Sequence, residues 1–98
     1  MNVNKSVDGS KLTLAIEGRL DTTTAPEFEA TSKDSLTGIT DLILDMEKLE
    51  YVSSAGLRVI LSMQKIMNKQ GQMTVINVSP EIMEILEVTG FSDILTIA

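Results

Sequence analysis

The chain has no cysteine, no histidine and no tryptophan. Without cysteine there is no disulfide framework and no thiolate chemistry, which excludes an exported, disulfide-stapled scaffold. Without histidine the commonest general base and metal ligand is missing, so any catalysis would rest on carboxylates, hydroxyls, lysine or arginine. Aromatic residues are limited to Phe28, Tyr51 and Phe91. That leaves almost no stacking platform for nucleic-acid bases, and the core has to be built from Leu, Ile, Val and Met. No apolar run approaches the roughly 18 residues that span a membrane. The polar opening MNVNKSVDG has no apolar leader segment, and the expected location is the cytoplasm.

Basic residues are also few: eight Lys and Arg against fourteen Asp and Glu, a net charge of −6. Nucleic-acid backbones and anionic membrane surfaces would be repelled, so neither is expected as a partner. A length of 98 residues suits one domain, residues 1–98, with a single core.

What is present reads as alternating strands and helices. Asp8-Gly9 supplies a hairpin turn, after which Leu12, Leu14 and Ile16 alternate with Thr13, Ala15 and Glu17 in strand period. LDTTTAPEFEATSKDSL reads as a loop entering a helix that ends near Leu36. Thr24 and Glu27 stand at capping-box spacing, and Pro26 is tolerated in the first turn. DLILDM (41–46) has the length and content of a strand covered on both faces. Residues 54–70 form a helix with Arg58, Ser62, Lys65 and Lys69 on one stripe, closed by Gly71. A strand over 72–78 follows. Ser79 then caps a helix with Pro80 in its first position and Gly90 beyond its end, and FSDILTIA makes a turn and an edge strand. The order predicts an α/β fold: a mixed sheet with helices packed against it.

Few residue groups suggest chemistry. Asp45, Glu47 and Glu50 crowd the end of the central strand, but their spacing forces neither a metal site nor an acid–base pair, and solvated loop charge explains them. No phosphate-cradling loop or dinucleotide fingerprint occurs, so no cofactor and no metal are expected. Arg58, Lys65 and Lys69 read as an exposed face, or as a docking stripe for an acidic partner.

Ser53-Ser54, inside KLEYVSSAGLRVIL (48–61), carries the most information. One serine is explained as the N-cap of the helix. Capping does not explain why Ala55 and Gly56 follow, since Gly inside a helix costs about 0.5–1 kcal/mol relative to Ala. Small residues at 53–56 would leave the helix start uncovered for a partner. A hydroxyl at a helix N-terminus is also a place where a phosphate of about −1.5 to −2 charges can be added without unfolding the domain. With Glu50, Asp45 and Asp21 around it, that charge would act on whatever docks there.

LILDMEKLEYVSSAGLRVIL resembles the central segment of bacterial anti-sigma factor antagonists, stand-alone members of the STAS domain family. IEGRLDTTTAPEFE is similar to the family's Gly-x-Leu-Asp segment, and NVSPEIMEILEVTGFSDIL to its closing helix and turn. The resemblance implies a STAS-like mixed sheet without catalytic activity. It implies a partner that is both anti-sigma factor and serine kinase, whose binding releases a sigma factor, and a PP2C-type serine phosphatase that restores the binding form. By position it makes Ser54 the phosphoacceptor ahead of Ser53, which stands where many members have Asp. It places Asp21, Thr22, Thr23, Ser53, Ser54, Ala55, Gly56 and Arg58 on the partner-binding surface. The alternative within the fold is a STAS scaffold module of a stress-signalling or lipid-transport complex without a phosphoserine switch. An enzyme using Ser54 as nucleophile would need a base that the sequence does not supply.

Overall fold

The computed structural model describes residues 1–98. Its first elements are the hairpin strands β1 (Asn2–Asp8) and β2 (Lys11–Leu20), which pair antiparallel with Asp8 opposite Lys11. The two-residue turn between them needs Gly9, whose φ is +62°. Helix α1 (Ala25–Asp34), β3 (Asp41–Asp45), β4 (Leu49–Val52), α2 (Ser54–Gln70), β5 (Gln72–Ile76) and α3 (Pro80–Val88) follow, with a 3₁₀ turn at Phe91–Asp93. The sheet order is β1-β2-β3-β5, and β4 pairs with β2 further along. Every pairing except the hairpin is parallel.

Parallel register aligns the apolar residues into rows across the sheet. Leu12, Leu42 and Met73 form one row, Leu14, Leu44 and Val75 the next, and all six are fully or almost fully buried. Phe28 of α1, Ile60, Met63 and Met67 of α2, and Ile82 and Leu86 of α3 close over them as one cluster. Each such side chain removed from water contributes about 1.5–3 kcal/mol.

The sheet is covered on one face only, not on both as DLILDM suggested. Thr13, Ile43 and Thr74, then Ala15, Asp45 and Ile76, form the rows of the second face and remain half exposed. That face mixes hydroxyls and a carboxylate with its isoleucines, too polar to hold a second helical layer.

Other local expectations change for identifiable reasons. Strand β4, absent from the sequence reading, has only four residues and buries its two ends, Leu49 and Val52, instead of alternating, because a register shift interrupts its pairing between Gly18 and Arg19. The last strand ends at Ile76 and not at residue 78, because Asn77 turns the chain at φ 57°. Gly71 does follow α2, with extended backbone. A side chain there is impossible for want of space: a Cβ would run into the backbone carbonyl of Thr40. The C-terminal segment runs along β5, with Val75 N–H donating to Thr96 O at 2.8 Å and Ala98 N–H to Val75 O at 2.9 Å.

Candidate functional site

The site forms where two parallel strands end side by side. β2 ends at Leu20 and β4 at Val52, paired in register. The Ser53 N–H donates to Leu20 O at 2.8 Å, so the loop opened by Asp21 and the start of α2 leave the sheet together.

Asp21 organises its loop. Its Oδ1 accepts from the N–H of Thr23 at 3.0 Å and of Thr24 at 3.1 Å, and its carbonyl from Ala25 N–H at 2.8 Å. The expected capping box is replaced by this arrangement. Thr24 Oγ1 makes no cap hydrogen bond to α1; it accepts from Asp21 N–H at 2.8 Å and donates to Arg19 O at 2.9 Å. The Thr24 N–H, with smaller contributions from Thr23, the Thr24 hydroxyl and Arg19, holds the Asp21 carboxyl below its usual value against the opposing effect of burial. Asp21 is therefore an acceptor already engaged, not a free base. Thr22 and Thr23 are exposed beside it.

Ser53 is the N-cap of α2: its backbone is extended, and its Oγ accepts from Gly56 N–H at 3.3 Å. Ser54, the first helical residue, is exposed and its hydroxyl makes no hydrogen bond within the protein. Gly56 has a different role from the one its position suggested. It is buried, and a Cβ would stand 2.7 Å from Leu20 Cγ and 3.0 Å from both Leu20 O and Val52 Cγ2. Its smallness lets α2 sit tightly on the ends of β2 and β4, and it faces inward, away from any docking partner. Ala55 and Arg58 instead line an open groove of about 450 Å³ between α1 and α2, together with Thr22, Pro26, Glu29 and Ser62.

The carboxylates of the central strand do not join this site. Asp45 is level with Ala15 on β2, five residues short of Leu20, or about 16 Å at roughly 3.3 Å per residue. Its Oδ1 accepts from Glu47 N–H at 3.0 Å and from the Asn77 side chain at 3.1 Å, so it holds a turn. Of the acidic residues expected around Ser54, Asp21 is adjoining and Asp45 is not. Nowhere does the fold gather three carboxylates for a metal ion.

Arg19 and Tyr51 were not foreseen from the sequence. They face each other across β2 and β4, with the guanidinium 4.5 Å from the ring centroid and 3.9 Å from the Asp21 carboxylate. This places an aromatic and a cation at the edge of the same surface. Only the β2–β4 register joins them, and no local pattern announces it.

What the site offers is an unengaged hydroxyl at a helix N-terminus, flanked by an exposed Thr-rich loop and a shallow groove, with no base aimed at it. A family model described as the STAS domain matches residues 2–98. The chain belongs to the STAS domain family. It is similar to a Bordetella bronchiseptica protein named as anti-sigma factor antagonist BtrV, with 32% identity over 94 residues covering 94% of this chain and 80% of that protein. Among solved structures, a Thermotoga maritima protein described as an anti-sigma factor antagonist superposes with a TM-score of 0.89 at 18% identity, over 97% of this chain and 84% of its own. The phosphorylated form of the Bacillus protein SpoIIAA superposes with a TM-score of 0.76 at 18% identity, over 99% and 91%. The chain thus has the STAS fold and stands among the anti-sigma factor antagonists, which are regulators and not enzymes. No helix is long and apolar enough to cross a membrane.

Proposed function

We propose that this STAS domain is a cytoplasmic antagonist that binds an anti-sigma factor with serine kinase activity and so frees a sigma factor. Phosphorylation of Ser54 switches the binding off, and a PP2C-type phosphatase restores it. The observation that carries this reading is the division of labour between the two serines: Ser53 is used by the fold as a cap, while Ser54 is exposed and unengaged. The docking surface comprises Asp21, Thr22, Thr23, Ser53, Ser54, Ala55 and Arg58, with Gly56 beneath it as a spacer. A phosphate on Ser54 is compatible with the fold, because unpaired N–H groups and the helix dipole favour negative charge there. It adds about −1.5 to −2 charges to the surface a partner must approach. The antagonist named among the relatives, and the existence of a phosphorylated form of SpoIIAA, support the reading.

The test is calorimetric titration of the cognate anti-sigma factor with wild type, Ser54→Asp and Ser54→Ala. Ser54→Asp should bind at least about tenfold more weakly, a difference of about 1.4 kcal/mol. Ser54→Ala should bind like wild type but resist release by ATP, and phosphopeptide mass spectrometry should place the phosphate on Ser54. Equal affinity of Ser54→Asp and wild type, or a phosphate on Ser53 alone, would overturn it.

A further inference from the structure

The outer face of α3 combines two features that folding alone does not reward. Glu81, Glu84, Ile85 and Val88 stand at i, i+3, i+4 and i+7, a single helical stripe, while Ile82 and Leu86 take the buried side. Val88 is 81% exposed, and Ile94, in the turn that follows, is 49% exposed. With Thr89, the stripe lines a groove of about 240 Å³. From Gln70 to Ala98 the chain carries four acidic residues and no basic one, and none of the four makes an ion pair. Glu84 and Glu87 repel each other at i, i+3, and Glu87 sits in the last turn, where the helix dipole disfavours an anion. Val88 is exposed beside Ile85, which packs partly against the core, and an exposed apolar residue flanked by unpaired like charges on one helix describes half of an interface.

We propose that this face of α3 docks a cationic amphipathic helix of a partner protein, separately from the Ser54 surface. The partner's apolar side chains would cover Ile85 and Val88 at helix-in-groove spacing, and its lysines or arginines would meet Glu81, Glu84 and Glu87 at the rim. Charge complementarity sets the sign: an anionic membrane or an acidic segment is repelled, and a basic helix is steered in.

The probe is a synthetic amphipathic Leu/Lys helix, with a scrambled peptide of the same composition as control. Titrated into the ¹⁵N-labelled protein, it should shift amide signals centred on Glu81–Thr89 and Ile94 while those of Asp21–Thr23 and Ser54 stay in place. Val88→Gln, a neutral change at a position already in solvent, should weaken binding about tenfold or more, and Glu81→Gln with Glu84→Gln should weaken it and flatten its salt dependence. Shifts centred elsewhere, equal binding of the scrambled peptide, or unchanged affinity of Val88→Gln would overturn the proposal. A dimer in sedimentation that Val88→Gln dissolves would also overturn it, by showing that a second copy of this chain covers the face.

Discussion

Helices α2 and α3 begin with the same device. Ser53 Oγ accepts from Gly56 N–H at 3.3 Å, and Ser79 Oγ accepts from Ile82 N–H at 3.2 Å. Both serines have extended backbone and hold one first-turn N–H that the helix cannot satisfy internally. The next residue differs. In α3 it is Pro80, which has no N–H to satisfy and a φ already suited to the helix. In α2 it is Ser54, a hydroxyl that the fold leaves unengaged. The third helical residue differs as well: Ile82 is an ordinary core side chain, whereas any Cβ at Gly56 would press on Leu20 and Val52 at the strand ends. Set side by side, the two starts separate what helix formation needs from what it does not. A cap serine is needed in both, tight seating is specific to α2, and the Ser54 hydroxyl serves neither.

The largest effect expected from breaking this comparison is at Gly56. Alanine gains up to about 1 kcal/mol of helix propensity, but its Cβ must displace Leu20, including a backbone oxygen 3.0 Å away, and overpacking of this kind costs about 1–3 kcal/mol. The clash wins, and Gly56→Ala should lose about 1–2 kcal/mol. Thermal unfolding should show it as a fall in Tm of several degrees, at about 4–8 °C per kcal/mol for a domain this size. A rise in Tm would mean that α2 can slide away from the strand ends, and the tight seating would not be a constraint.

The caps come next. Ser53→Ala and Ser79→Ala should each cost about 1 kcal/mol in denaturant unfolding, because each loses one side-chain acceptor and nothing else. Parity is the point: a neutral Ser53→Ala would remove the structural role assigned to Ser53 and reopen which serine is modified. The same variant should still take up phosphate at Ser54.

These differences also show what was legible in the residues. Leu12, Leu14 and Ile16 alternate over a long strand, and Ser79-Pro80 announces a helix start, because both signals are local. Gly56 was visible as an oddity but was read outward, since only the packing of α2 on Leu20 and Val52 shows that it faces in. Thr24 had the spacing of a cap, yet its hydroxyl turns back to the Asp21 N–H and the Arg19 carbonyl, and sequence spacing cannot show that a side chain is engaged by the loop before it. Strand β4 and the Arg19–Tyr51 contact depend on register between distant segments, which no window of sequence contains. The role proposed for Ser54 rests on family resemblance; its local chemistry says no more than that a phosphate fits.

The smallest stability effect belongs to the substitution that makes the two helix starts alike. Ser54→Pro places in α2 the residue that α3 already carries at that point. Proline restricts the preceding residue to extended backbone, and Ser53 is already there at φ −90° and ψ 173°. The Ser54 N–H takes part in none of the backbone hydrogen bonds that tie α2 to its surroundings, which run from Ser53 N–H and Leu57 N–H. Stability should therefore change by no more than about 0.5 kcal/mol, the usual scale for a surface position, while phosphate uptake in a kinase assay is abolished. A loss of 2 kcal/mol or more would mean that the first position of α2 carries part of the fold. An unchanged stability with phosphorylation abolished would separate the hydroxyl from the helix it stands on.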